Sequence, residues 1–286
     1  MRPANIVTSV ADVLAGIAIS GLFTQKFFGT GAVTNVLLLC LATIGLYGGG
    51  VVFNDVFDAG LDKSERPERP IPSGLISVGE ASLLGGILLS GGILTAFISN
   101  ATSGIIAFLI AVAALVYNRW SKHNAIVGPL NMGLCRGLNL LLGVSIIPLA
   151  LHLWWGLSAV PVIYIASITM ISRGEVHGGS RTILYMACLL YALVIGFILY
   201  FSYSKGMILY SLIFLLPFAW MIFNPLIKAI AEPVGKNIGK AVKAGVIALI
   251  LMNAAWAAAF GALYVALVIV LLLPVSVKLG KMFAVT

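Results

Sequence analysis

Runs of about 20 apolar residues, each long enough to cross a hydrocarbon core about 30 Å thick, recur from one end of the chain to the other. In lipid every backbone N–H and C=O must be bonded within the protein, which leaves only helices and closed barrels. No stretch alternates as a barrel strand does, so the spans are helices. Composition agrees. Hydrophobic residues make up 61% of the chain and charged residues 9%, where a soluble domain carries about 25% charged residues. The fold class is all-α, a polytopic transmembrane helix bundle, with residues 1–286 as one integral-membrane domain.

Helices are expected near 5–23, 33–53, 79–98, 102–117, 130–150, 152–170, 182–202, 206–223, 241–258 and 261–276. The first reads as a retained helix and not a cleaved signal, because only Arg2 precedes it and Asp12 interrupts it. Short joins alternate with longer polar ones, and the cations choose the long joins. Arg2, Lys63, Arg66, Arg69, Arg119, Lys122, Arg173, Arg181, Lys228, Lys236, Lys240 and Lys243 fall on or beside one face, and only Lys26 and Lys205 on the other. By the positive-inside rule the N-terminus and the long loops are cytoplasmic, in what reads as a bacterial cell membrane. Lys278 and Lys281 return to that side if there are ten helices and break the rule if there are nine, so ten is preferred and nine stays open. The net charge of +8 follows from this orientation and does not call for a nucleic-acid partner.

Against this apolar background, residues 54–74, NDVFDAGLDKSERPERPIPSG, hold five of the nine acids: Asp55, Asp58, Asp62, Glu65 and Glu68. If the second helix continues past the membrane surface, Asn54, Asp55, Asp58 and Asp62 share an arc of about 100°. Like charges this close are unfavourable without a cation among them. Oxygen donors of this kind suit Mg²⁺ shared with substrate phosphates. The plainer reading is a solvated acidic loop balanced by Lys63, Arg66 and Arg69.

The pattern N-D-x-x-D-x-x-x-D, followed by Arg69-Pro70-Ile71-Pro72-Ser73-Gly74, resembles the first aspartate-rich motif of the UbiA superfamily of membrane prenyltransferases. The opening RPANIVTSVADVLAG, with Arg2, Pro3 and Asn5, is similar to that family's first helix, and YNRWSKHN to its Tyr/Lys loop. The resemblance implies a helix bundle around a central cavity. It also implies Mg²⁺ as cofactor, held by Asn54, Asp55, Asp58 and Asp62, and an isoprenyl diphosphate as donor. The reaction implied is loss of diphosphate from an allylic carbon and capture of the prenyl group by an electron-rich, aromatic or lipid-like hydrophobic acceptor. Asn5, Arg69, Tyr117 and Lys122 join Asn54 as donor-binding residues, and Asp58 and Asp62 act at the catalytic centre. The plain alternative for Tyr117 and Lys122 is an interfacial aromatic beside a positive-inside lysine.

The family's second motif, D-x-x-x-D, falls on ISRGEVHGGSRT, residues 171–182. Matching Gly179 and Thr182 places Ile171 at its first aspartate and Glu175, the remaining acid of the catalytic set, at its second. This altered stretch resembles the EboC-type branch of the superfamily. With one carboxylate missing, Arg173 and Arg181 are expected to meet the diphosphate directly through their guanidinium forks. His177 reads as structural or solvated.

Inside the bundle, Asn5, Ser9, Asp12 and Gly16 lie within about 60° of one another, a helix contact or an acceptor pocket. Arg136 and Asn139 also lie about 60° apart and are read as cavity-lining and substrate-binding. Arg136 needs an anion, which a carboxylate of the first motif or the diphosphate would supply. Cys40, Cys135 and Cys188 read as apolar thiols, Trp154 and Trp155 as an outer interfacial belt, and the 31 glycines as helix-packing residues. Two other functions stay open. One is a prenyl- or lipid-binding protein that has lost catalysis through the altered motif. The other is a transporter, against which the acids gather at one surface and not at the midplane.

Overall fold

The computed structural model describes residues 3–24, 29–176 and 178–282, and these contain helices and turns without a strand. Of the residues singled out above, Arg2, Lys26 and His177 lie outside them. The helices are α1 (Pro3–Ile19), α2 (Thr30–Glu65), α3 (Val78–Ser99), α4 (Ala101–Arg119), α5 (Val127–Val144), α6 (Pro148–Trp154), α7 (Ala159–Ser172), α8 (Arg181–Ser204), α9 (Ile208–Ala231), α10 (Gly235–Ala259) and α11 (Leu263–Met282). A 3₁₀ turn, Trp155–Ser158, joins α6 to α7 as one bent segment, so the described residues form ten helical segments. Eight segments are long and apolar enough to span a membrane on those grounds alone. The others are α1, 17 residues long, and α5, whose 18 residues carry Asn131, Arg136 and Asn139.

Several boundaries differ from the sequence expectation, and two of them have a clear local cause. The fifth helix ends at Val144 and not near 150, because Pro148 opens the next helix and Ile147 before it is extended (φ −116°, ψ 97°). The long join expected at 224–240 shrinks to 232–234. Helix α9 runs through Pro217 and Pro225 to Ala231, since a helix in a bundle tolerates proline where its neighbours satisfy the freed carbonyls. Helix α3 starts where a capping box predicts it. The Ser77 hydroxyl accepts from the Glu80 amide at 3.2 Å, and the Glu80 carboxylate accepts from the Ser77 amide at 2.8 Å.

The bundle has two halves. In one, α10 is buried along nearly all its length among α1, α7, α8, α9 and α11. Its run of alanines, Ala254 to Ala259 around Trp256, lets these neighbours close in. In the other, α3 packs on α2 and α4, while α2, α4 and α5 surround a space of their own, and α2 and α5 barely touch across it. Helix α1 lies between the halves, with Ala11, Ala15 and Ile19 in the larger core and Val13 and Ile17 in the smaller. It meets α5 at a glycine pair, where a Cβ on Gly16 would stand 2.9 Å from the Gly143 Cα and the reverse substitution is equally tight. Gly45 and Gly92 do the same for α2 and α3. A Cβ on Gly45 would stand 2.8 Å from the Leu88 carbonyl oxygen, and one on Gly92 2.8 Å from that of Ala42.

Candidate active site

Helix α2 is 36 residues long, or about 54 Å at 1.5 Å per residue, and exceeds a hydrocarbon core of about 30 Å. The acidic segment as far as Glu65 is therefore the end of a membrane helix carried past the membrane surface, and Glu68 with residues 69–74 lies in the turns that follow. The helix runs unbroken through Gly48–Gly50 and presents Thr43, Tyr47, Gly50, Val51, Asn54 and Asp58 to one cavity of about 250 Å³. Ile110, Ala114, Tyr117 and Asn118 of α4 and Met132, Cys135, Arg136 and Asn139 of α5 complete its walls. From Asp58 to Thr43 the cavity follows α2 for about 22 Å. Its mouth is polar, its middle apolar and its inner end polar again.

At the mouth, Asp58 pairs with the Lys122 ammonium, delivered by the 3₁₀ turn Ser121–His123. The Asn54 amide donates to the Asn118 side-chain carbonyl at 3.2 Å, and Asn118 donates to the Gly50 carbonyl at 2.8 Å. This fixes the two amides across the α2–α4 seam. One turn further out, the buried Asp62 carboxylate accepts from Arg69 at 2.6 Å, and the same guanidinium stands 3.8 Å from Asp55. The acids expected to share a cation are thus divided between two cationic side chains. Among the described residues no three His, Cys, Asp or Glu side chains converge on one point.

The donor set still fits Mg²⁺. This ion keeps several waters and is held by one or two carboxylates plus substrate phosphates, not by a closed protein cage. Asn54 and Asp58 supply oxygens at the cavity mouth. Asp55 and Asp62 flank them and would have to loosen from Arg69 to reach the same ion.

At the inner end, Arg136 has a different anion from either one expected. Its Nη1 donates to the Asp12 carboxylate at 2.7 Å and its Nη2 to the Thr8 hydroxyl at 2.9 Å, with the guanidinium over the Tyr47 ring, 5.1 Å from the centroid. Asp12 also accepts from Asn139 at 3.2 Å and from Asn253 of α10 at 2.7 Å, and Asn139 accepts from Thr43 at 2.7 Å. The ion pair is structural, and Arg136 and Asn139 line the cavity as well. The first-motif carboxylates are already paired elsewhere, and Asp12 lies closer across the α1–α5 glycine contact, so it is the counter-ion.

The structure does not bring every expected residue to the cavity. Asn5 is buried on α1, where its carbonyl accepts from Thr8 at 2.8 Å, and it is absent from the lining. The 173–180 loop is pulled toward α10. The Gly179 amide donates to the Pro233 carbonyl at 3.1 Å, Gly174 and Gly179 pack on Ile238, and the Glu175 backbone abuts Gly235. Glu175 does not reach the cavity wall. Arg181 donates to the Ala231 carbonyl at 3.2 Å, and Arg173 to the carbonyls of Lys122 and Asn124. Neither Arg173 nor Arg181 is among the residues that line the cavity. Ile171 is 2% exposed in the larger core, so the position matched to an aspartate has become a packing position.

Sequence reasoning passed over Thr43, Tyr47, Asn118 and Cys135. Helical spacing would have found Tyr47, which lies three turns before Asp58 and about 20° from it around the helix. Asn118 follows Tyr117 directly in the loop motif. Trp154, read as an outer anchor, instead packs edge-on against Phe201 and Phe260, with the Lys205 ammonium 4.7 Å from its ring centroid.

A polytopic helix bundle with an acid- and amide-lined mouth opening on a cavity whose middle is apolar defines an integral-membrane protein with an interior site. The UbiA prenyltransferase family model matches residues 13–231, and the chain belongs to that family. It is 30% identical over 174 residues to a digeranylgeranylglyceryl phosphate synthase from Methanosarcina mazei, a match covering 60% of this chain and 58% of that protein. The chain thus spans little more than half the length of this curated relative. Its fold is that of a UbiA homolog from Aeropyrum pernix (TM-score 0.71, 16% identity, 89% of this chain and 98% of the other). A UbiA homolog from Archaeoglobus fulgidus bound to DMAPP and Mg²⁺ is similar in the same sense (TM-score 0.54, 16% identity, 84% and 99% covered). These proteins are archaeal, so the expected bacterial membrane reduces to an integral-membrane location.

Proposed function

We propose that the protein is a membrane prenyltransferase that takes an isoprenyl diphosphate as donor and transfers its prenyl group to a hydrophobic, lipid-like acceptor. The observation that carries this reading is the pairing of Asp58 and Lys122 at the mouth of a cavity whose middle is apolar. Family membership and the DMAPP- and Mg²⁺-bound homolog support it. So does the kinship with synthases of a prenylated glyceryl phosphate, which favours a lipid-like acceptor.

The diphosphate would lie at the mouth. Asn54 and Asp58, flanked by Asp55 and Asp62, would hold Mg²⁺ against it. Bound there, the metal neutralises charge on the leaving diphosphate. Lys122 lies on the other side of Asp58 and stabilises the same developing charge. The C1–O bond breaks with its electron pair leaving on the diphosphate, and the acceptor supplies the pair for the new bond to C1 and gives up its proton to the released diphosphate. Leu46, Val51, Ile110, Ala114 and Met132 keep water from the allylic cation while both bonds are partial. The prenyl tail follows these residues inward.

One observation favours a binding protein without catalysis: Ile171 is buried where the family has an acid. A single experiment separates the two. The purified protein is incubated with Mg²⁺, labelled dimethylallyl or geranyl diphosphate and a lipid extract. Released diphosphate and an alkylated lipid are measured, together with the rate at which a maleimide reaches Cys135 in the cavity wall. Transfer predicts both products and slower labelling. Slower labelling with no diphosphate released would leave a binding protein, and no change in either would end the donor-site reading.

A further inference from the structure

Three segments far apart in sequence meet above the cavity mouth: the end of α2, the turn after α4 and the loop after α7. The turn after α4 carries Lys122 to Asp58. It is held from below by α5, where Asn131 hydrogen-bonds the Ser121 hydroxyl at 3.1 Å and Asn124 caps the amides of Ile126 and Val127 at 2.9 Å each. Gly128 lies directly beneath it, and a Cβ there would stand 2.9 Å from the Ser121 carbonyl oxygen. From the far side it is held by one group, the Arg173 guanidinium, whose Nη2 donates to the Lys122 carbonyl at 3.5 Å and to the Asn124 carbonyl. The Lys122 carbonyl lies in the 3₁₀ turn, and the Asn124 carbonyl at its C-cap also accepts from the Gly128 amide of α5 at 3.2 Å. A guanidinium gives such acceptors charge-assisted bonds, stronger than neutral ones.

We propose that Arg173 is a positioning residue, which straps the Lys122 turn so that the Lys122 ammonium stays over Asp58 to meet the donor's diphosphate. The altered second motif thus acts on the site through the Lys122 backbone, although none of its described side chains lines the cavity. Arg173 can do this because Ile171, two residues earlier, turns into the core and fixes the end of α7 while the following loop stays at the surface. The assignment rests on the donor-site reading above.

The test uses the full chain in detergent, with inorganic pyrophosphate and Mg²⁺ as the probe and isothermal titration as the readout. Arg173→Ala should weaken pyrophosphate binding about 10-fold, the worth of one charge-assisted hydrogen bond. Lys122→Met should weaken it at least as much. The double variant should bind like Lys122→Met alone, because Arg173 has nothing to position once the ammonium is gone. Arg173→Lys should recover most of the loss, since an ammonium can still bond the carbonyls. If Arg173→Ala does not fold, Arg173→Gln in both backgrounds replaces it with the same expected pattern. Losses that multiply in the double variant would mean that Arg173 touches the anion itself, and an Arg173→Ala protein that binds normally would mean that the turn holds itself. Either result overturns the proposal. If the wild type does not bind pyrophosphate in Mg²⁺, the donor-site reading fails and this inference fails with it.

Discussion

Asp58 and Asp62 sit one turn apart on α2 but in different surroundings. Asp58 borders the cavity, while Asp62 is buried under Arg69. Both should matter for Mg²⁺-dependent binding of a prenyl diphosphate, and unequally. Asp58→Ala removes an oxygen at the mouth and should weaken binding by about 10- to 150-fold, at about 1.5–3 kcal/mol for a bond to a charged group. Asp62→Ala should cost less and be mimicked by Arg69→Ala, because that pair acts as a unit. Titration of geranyl diphosphate with and without Mg²⁺ measures all three, and equal binding by wild type and Asp58→Ala would remove the metal-site reading. The inner pair gives a stability prediction instead. Asp12→Leu leaves the Arg136 charge buried without its partner, which costs about 3–5 kcal/mol, and Arg136→Met does the reverse. The double variant should melt well above either single variant in detergent. Losses that add would show that the two charges are not coupled.

At the level of elements, much of the fold was legible because lipid leaves the chain few choices. Ten helical segments, eight of them long and apolar enough to span, and the extension of the second helix into the acidic segment follow from apolar run length and helical spacing. The break at 145–147 was missed, with a helix expected through 130–150, although Pro148 marks it. What a single sequence does not carry is which helices face each other. Arg136 and Asp12 each looked in need of a partner, and no spacing rule links residues 124 positions apart. For the same reason the loop arginines were assigned to the phosphate, although carbonyls of neighbouring loops lay nearer. The α1–α5 contact that joins Asp12 to Arg136 depends on Gly16 and Gly143. Gly143→Val should therefore force the helices apart and destabilise the protein by about 1–3 kcal/mol, the usual cost of overpacking. It should do so with Asp12 and Arg136 both intact. A melting temperature within error of wild type would show that the two backbones have room to separate.

For the molecule as a whole, orientation is the property that the distribution of cations predicts. In a variant without its three native cysteines, a cysteine placed at Ser64, exposed near the end of α2, should react with an impermeant maleimide only from the cytoplasmic side. One placed at Ser204, at the end of α8, should react only from the outside. Reaction of both from one side would overturn the arrangement of passes between them. The predicted sidedness puts the Asp58–Lys122 mouth in contact with cytoplasmic Mg²⁺ and diphosphate, while the apolar middle of the cavity lies at the depth of lipid tails.

The carboxylate of Asp12 has partners on α5 and α10, and the α11 residue Ser276 reaches back to the Ala4 carbonyl of the same first helix at 3.3 Å. During synthesis α1 emerges before all of them. Its acid, which lipid will not accept, gains a counter-ion only with Arg136, 124 residues later, and a further donor only with Asn253 of α10. A ribosome that stalls before α5 leaves an incomplete chain with an unpaired charge in its first helix, a mark that sets unfinished copies apart from finished ones.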